Sequence, residues 1–241
     1  MWVFLWNLDL SQYGVIIPLY TFEFITMVSL TDNQKEFIKQ VDTHMKKGGD
    51  IIEILAIAGP NGGGKSTIIQ WLLKKFPTTF CEVMQVTTNP IKRTNRVRRY
   101  VPMSEFVKEK IVLWWIAGIH EHGYACQDLL KAISEKKIII FEGFSRLKKL
   151  QSILDTKKLH YMVAGVLPPG KTIPLMLSRL KTRLLSRPGF SEEDIKRKLQ
   201  EAELRVIPEV LKEADIIIRS GWNHTDRDVA EIMKKWEEIK K

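Results

Sequence analysis

One junction constrains this chain more than any other. Residues 51–58, IIEILAIA, run directly into Gly59-Pro60-Asn61-Gly62-Gly63-Gly64-Lys65-Ser66. A short apolar run rich in β-branched residues reads as a strand buried on both faces, the kind found at the centre of a parallel sheet. Residues 66–76 come next with helical spacing and turn Ile68, Ile69, Leu72 and Leu73 inward. The eight residues between satisfy G-x-x-x-x-G-K-[ST] in full and sit between a strand and a helix, as that motif requires. Glycines let the backbone curl until successive N–H groups face phosphate oxygens. The helix start adds donors and a favourable dipole. Gly59, Pro60, Asn61, Gly62, Gly63, Gly64, Lys65, Ser66 and Thr67 are thus the expected holders of a nucleotide's phosphates. Lys65 is expected between the β- and γ-phosphates and Ser66 on Mg²⁺. Glu142, directly after the apolar run 138–141, is the acid expected at a neighbouring strand end. There it would serve the metal shell or the acceptor.

The rest of the chain keeps alternating. Strands are expected at 83–86, 111–117, 138–141, 161–167 and 216–218. Helices are expected behind a Thr31–Gln34 capping box and at 104–110, 127–134, 173–185, 192–212 and 226–239. Residues 89–103 read as a basic polar loop. This pattern predicts an α/β fold, a parallel central sheet covered by helices on both faces. No repeat, low-complexity tract or Gly/Ser/Pro linker divides it. Two regions are expected: an apolar extension over 1–30 and one domain over 31–241.

Composition narrows the setting. Of 241 residues 44% are hydrophobic and 27% charged, which is ordinary globular usage and excludes a largely disordered chain. Cys81 and Cys126 make no disulfide framework, so a reducing compartment, the cytoplasm, is expected. The net charge of +10 suits phosphorylated ligands, nucleic acid or anionic surfaces. Residues 1–26 hold Asp9 and Glu23 but no Lys or Arg, so they lack the positive start of a secretory signal. Polar residues and Pro18 interrupt them, so no stable membrane insertion is expected. Met27 is a candidate natural start.

Two basic clusters lie beyond the glycine-rich loop. Lys92, Arg93, Arg96, Arg98 and Arg99 run without an acid between them, and Arg179, Arg183 and Arg187 recur at i, i+4, i+8 on one helix face. Cations on two sides of a phosphate loop suit two anions meeting, and phosphoryl transfer is mostly positioning and charge stabilisation. His120-Glu121-His122 has neither the helical spacing nor the additional ligands of a zinc site.

From residue 51 onward the chain resembles the guanylate kinase family of P-loop nucleoside monophosphate kinases. Residues 59–67 resemble G-P-S-G-x-G-K-S-T. Val86-Thr87-Thr88 with Pro90, then Tyr100 and Ser104-Glu105-Phe106, resemble the monophosphate-binding segment. Leu167-Pro168-Pro169 and residues 183–198, RLLSRPGFSEEDIKRK, resemble the strand exit and the lid. The resemblance implies ATP, Mg²⁺, transfer to GMP, a small acceptor lobe and a helical lid. It puts Arg183 and Arg187 on catalytic arginines, with Lys198 replacing a third. Thr88, Lys92, Arg93, Arg99, Tyr100, Tyr124 and Glu142 become acceptor-binding candidates.

The departures fall where the acceptor is read. Gln85 replaces a serine, Asn89 and Lys92 replace two arginines, and Asn95 replaces a glutamate. Trp114 falls near a guanine-contacting glutamate, and Tyr124-Ala125-Cys126 stands for Tyr-Gly-[Ser/Thr]. Phe141-Glu142-Gly143-Phe144-Ser145-Arg146 looks more like the D-G-F-P-R element of adenylate kinases. Trp114 and Trp115 are read as core and pocket wall. Two further readings stay open: a kinase acting on another nucleotide or on nucleic-acid ends, and a nucleotide-binding module with weak catalysis.

Overall fold

The computed structural model describes residues 29–49, 51–90, 98–106, 108–117, 119–187, 189–219 and 225–240. The acceptor candidates Lys92 and Arg93, and the apolar segment 1–26, lie outside the described residues. Thr31–Lys241 forms one compact unit.

Its elements run α1 (Asp32–Lys46), β1 (Ile52–Ala58), α2 (Lys65–Lys75), β2 (Phe80–Glu82), β3 (Gln85–Thr87), β4 (Arg98–Tyr100) and α3 (Met103–Phe106). Then come β5 (Ile111–Ala117), β6 (His120–Ala125), α4 (Cys126–Ser134), β7 (Ile138–Glu142), α5 (Phe144–Gln151) and β8 (Leu159–Leu167). The chain ends with α6 (Ile173–Leu185), α7 (Glu192–Glu201), α8 (Ile207–Glu213), β9 (Ile216–Arg219) and α9 (Thr225–Ile239).

Five strands form the central sheet in the order β2-β7-β1-β8-β9, and every pairing is parallel. Successive side chains of a strand point to opposite faces, and β1 shows what that does here. Leu55 and Ile57 enter a core with Ile68, Ile69 and Leu72 of α2 and Val229, Ile232 and Trp236 of α9. Ile54, Ala56 and Ala58 enter the other core. It is built with Phe37 and Val41 of α1, Leu129 of α4, Leu147 of α5 and Leu180 of α6. Both faces are covered, so β1 reads as an unbroken apolar run.

A second sheet, order β4-β3-β6-β5, forms a smaller lobe. Its β3–β4 pairing is parallel and the other two are antiparallel. Gln34 of α1 donates to the Val112 carbonyl at 3.1 Å, and Lys149 of α5 donates to the Trp114 carbonyl at 2.6 Å, tying the lobe to the core.

Of the expected strand over 83–86 only Gln85 and Val86 are strand, in β3 of the smaller sheet, and β2 of the central sheet lies just before it over Phe80–Glu82. The expected loop 89–103 contains β4, and the expected helix 104–110 shortens to α3. The polar run His120–Ala125 is a strand although its residue pattern does not announce one, and the same holds for α5. The expected helix 192–212 is continuous but loosens to a wide π-type turn over Ala202–Val206, just before Pro208. A proline in that position supplies no N–H to the preceding turn, so the tighter ladder loses a rung there. The Thr31–Gln34 capping box forms as expected.

Candidate active site

Strand β1 ends at the glycine-rich loop, and that loop is shaped by the neighbouring strand. Gly59 has φ +146°, and a Cβ placed on it would lie 2.1 Å from the Val166 carbonyl oxygen of β8. No other residue fits the backbone or the space. The Gly63 N–H donates to Pro60 O at 3.0 Å and tightens the turn. Gly64 precedes α2 with φ +105°.

Lys65 opens α2 and is only 8% exposed. Its ammonium donates to the carbonyls of Gly59 at 2.9 Å and Pro60 at 3.0 Å, and lies 3.6 Å from Glu142 Oε1. Glu142 ends β7, the strand paired with β1, in register with Ile57. Two adjacent strand ends thus bring an ammonium and a carboxylate together beside the loop. Ser66 and Thr67 stand exposed on the first turn of α2.

Helix α6 supports the loop from another side. Leu180 and Leu184 pack so closely that a Cβ on Gly62 would lie 3.1 Å and 3.2 Å from their methyls. Arg183, buried in α6, donates to Gly63 O at 3.2 Å and approaches Gly62 O at 3.5 Å. Burial pulls its basicity down, and the like charges of Arg187 and Arg179 pull it further. Three cations therefore share one electrostatic neighbourhood, a field suited to a polyanion. Arg187 is exposed near the end of this face. Lys198, half-buried on α7, holds its ammonium 5.1 Å from the Phe190 ring centre.

The smaller lobe meets this end of the sheet through aromatic packing. Tyr124 of β6 is buried and stacks on Phe141 at 5.4 Å, one residue before Glu142, and also meets Trp115 at 5.3 Å. The Thr88 hydroxyl accepts the Glu121 N–H at 2.9 Å, fixing the turn after β3. Gln85 donates to Nδ1 of His122 at 3.0 Å, with both side chains buried. Burial, and then the charges of Arg98, Arg146 and His120, lower the His122 pKa to about 4. His122 is therefore neutral near pH 7.

The sequence of this chain is 32% identical to guanylate kinase from Helicobacter pylori (strain ATCC 700392 / 26695) over 159 residues. That match covers 61% of the chain and 69% of the relative. The chain belongs to the guanylate kinase family. It is also 28% identical to guanylate kinase from Thermosynechococcus vestitus over 163 residues, covering 64% of this chain and 79% of that protein. The solved guanylate kinase from Anaplasma phagocytophilum superposes with a TM-score of 0.51 at 13% identity. It covers 78% of this chain and 86% of its own, a likeness of fold. No family model matches the chain. Membership makes the chain a nucleotide kinase with a P-loop.

Within that family frame, the described structure brings Lys65, Glu142, Arg183 and the loop glycines together. Tyr124 joins them through Phe141. Tyr100 stands apart, 47% exposed on the edge strand β4. Arg99 is engaged elsewhere. Its guanidinium grips Glu109 with both prongs, the second at 2.9 Å, with Asp128 3.8 Å away. Trp115 lines the aromatic cluster, but Trp114 faces outward, 46% exposed, and donates to Glu121 at 2.8 Å. Trp114 is therefore not core. The strand puts consecutive side chains on opposite faces, so the two tryptophans cannot share one role.

Sequence reasoning names Gln85, His122 and Arg146 but not their contacts: Gln85 pairs with His122, and Arg146 lies over the Trp115 ring at 4.4 Å. A signal for Arg146 exists in the unusual run after β7, but its neighbour Trp115 is supplied by the fold.

Proposed function

We propose that this chain transfers the γ-phosphoryl group of ATP to the phosphate of GMP, releasing ADP and GDP. The observation that carries the reading is the Lys65–Glu142 pair beside a loop whose carbonyls also hold Arg183. An oxygen of the acceptor phosphate attacks the γ-phosphorus, a new P–O bond forms, and the bond to the β-phosphate oxygen breaks. The loop amides and Lys65 hold the donor. Arg183, Arg187 and Lys198 offset charge on the group in transit. Thr88, Lys92, Arg93, Arg99, Tyr100, Tyr124 and Glu142 are the candidates for positioning the acceptor.

The oxygen chemistry at the loop fits magnesium. This hard cation takes oxygen ligands and is held by one or two protein groups plus substrate phosphates. The Ser66 hydroxyl is exposed on the helix turn that carries Lys65, and the Glu142 carboxylate lies 3.6 Å from the Lys65 ammonium. Ser66 and Glu142 would hold Mg²⁺, which when bound supplies charge neutralisation to the donor phosphates.

The test is ADP release from Mg²⁺-ATP with each of GMP, dGMP, AMP, CMP, UMP and dTMP, by the full chain and its Lys65→Ala variant. Turnover with GMP, reduced about 10²–10³-fold in the variant, is the expected result. Turnover confined to another monophosphate overturns the choice of acceptor. Equal turnover by the variant overturns the role of Lys65.

A further inference from the structure

The helix that runs from α7 into α8 holds one residue more than its packing needs. Its buried side chains are Ile195, Ala202, Ile207 and Val210. An α-helix turns about 100° per residue. The step from Ile195 to Ala202 therefore falls about 20° short of two turns, and both side chains share a face. The step from Ala202 to Ile207 would overshoot one turn by about 140° and carry Ile207 towards solvent. Ile207 is instead 0% exposed, because the backbone widens to a π-type turn over Ala202–Val206 and absorbs the excess. A step shorter by one residue would overshoot by only about 40° and would need no wide turn. The additional residue thus does nothing for the core, and Glu203, Leu204 and Arg205 stand exposed on the turn that holds it.

The two halves of this helix are held unequally. Helix α8 is fastened to the central sheet. Val210 packs where β8 has Gly165, and a Cβ there would fall 2.5 Å from Val210 Cγ1. Just past α8, the Asp215 carboxylate accepts the Val163 N–H at 2.7 Å, and the Asp215 N–H donates to the Val163 carbonyl at 2.9 Å. Lys148 of α5 donates to Glu209 of α8 at 3.3 Å. In α7, by contrast, Ile195 is the buried side chain. The Ser191 capping box and the Arg197–Asp194 pair at 3.1 Å lie within its own first turns. The Lys198 ammonium lies 5.1 Å from the ring centre of Phe190, which enters the same helix. Between the halves, Pro208 has no N–H to offer the Leu204 carbonyl. Arg205 pairs with Glu201 of α7 and lies 4.0 Å from Glu209 of α8, an exposed tether across the turn.

We propose that the wide turn over Ala202–Val206 is a hinge, on which α7 swings and carries Lys198 to the phosphoryl group in transit while α8 stays on the sheet. The proposal rests on the reading of the chain as a nucleoside monophosphate kinase and locates the motion that Lys198 requires. An unbroken α-helix moves as a rod. A π-type turn interrupts the regular ladder, so small φ/ψ changes at a few residues redirect everything before it. Lys198 lies about one helical turn from the hinge, close enough for its ammonium to follow the bend without α6 or the glycine-rich loop having to move.

The experiment straightens the helix. In the full chain Leu204 is deleted and Pro208→Ala is introduced, which removes the additional residue and restores the N–H while the buried face stays in line. Turnover with Mg²⁺-ATP and the monophosphate the wild type accepts, ATP affinity by calorimetry and urea unfolding are measured, each with and without Lys198→Ala. The straightened chain should unfold at no lower urea than the wild type and bind ATP within about twofold of it, with kcat down about 10- to 100-fold. Lys198→Ala should lower kcat in the wild type but change that of the straightened chain by less than about twofold, since the lysine no longer arrives there. An unchanged kcat in the straightened chain overturns the proposal, as does a Lys198→Ala loss of equal size in both backgrounds. A wild-type background that Lys198→Ala leaves unaltered overturns it too. If the straightened chain lacks a cooperative melt, hydrogen exchange on the wild type decides. The amides of residues 203–207 should exchange faster than those of α7 and α8, and equal exchange overturns the hinge. A wild type that transfers to none of the six monophosphates overturns the kinase reading, and the same exchange comparison then judges the hinge by itself.

Discussion

The neutral His122 makes acid stability a direct probe of the smaller lobe. Its imidazole is 6% exposed, accepts from Gln85, and has its pKa lowered to about 4. An unfolded histidine titrates near 6.5. Between those values the unfolded chain binds a proton at this position that the folded chain does not. Stability must therefore rise with pH across that window, and it is lost as the pH falls towards 4. At pH 5 the displaced equilibrium amounts to about 2 kcal/mol, approaching about 3 kcal/mol at pH 4. The assay is urea unfolding of the wild type and of His122→Asn, which keeps a hydrogen-bonding side chain opposite Gln85, at about pH 7, 6 and 5. The wild-type free energy should decline more steeply than that of the variant, by up to ~1.4 kcal/mol per pH unit. Comparing two chains cancels the groups that titrate alike in both. Parallel curves would refute the reasoning, as would a folded-state His122 resonance that titrates near pH 6.5.

Other perturbations read other parts of the fold. Gly59→Ala places a methyl against the Val166 carbonyl in a backbone region closed to side chains. It should cost about 3–4 kcal/mol in chemical denaturation, with loss of nucleotide binding. Arg183→Lys removes the Nη1 that donates to the Gly63 carbonyl and approaches that of Gly62, and kcat should fall about 10²-fold with the fold retained by circular dichroism. Trp236→Ala empties the core between α2, α9 and the sheet and should cost about 3–5 kcal/mol by urea unfolding, without a change in the affinity ratio of GMP to guanosine.

The donor side is legible in the sequence because its information is local. An apolar strand, a glycine-rich turn and a helix are contiguous, and each residue type has one physical task there. The parallel sheet emerges from the same alternation. The smaller lobe is less legible for two reasons. His120–Ala125 carries too few apolar residues to announce a strand, because its partners are a hairpin mate and the short β3. Its chemistry also depends on residues far apart in the chain: Gln85 with His122, Trp115 with Arg146, and Arg99 with a glutamate ten positions later. The basic run around Arg99 looks acid-free because Glu109 lies beyond its end. Periodicity reports which face a side chain takes and is silent on which distant side chain it meets.

The grip of Lys65 on the Gly59 and Pro60 carbonyls makes the loop a discriminator by valency. The ammonium already has oxygen partners, so an arriving anion enters by exchange and gains only the difference between old contacts and new. A single small anion offers few oxygens to offset the exchange of two carbonyls and the Glu142 carboxylate. A chain of linked phosphates brings several oxygens at once and engages the loop amides as it replaces those partners. The same contacts that keep the lysine from standing as an uncompensated charge are therefore expected to set an order of affinities, inorganic phosphate weaker than a triphosphate.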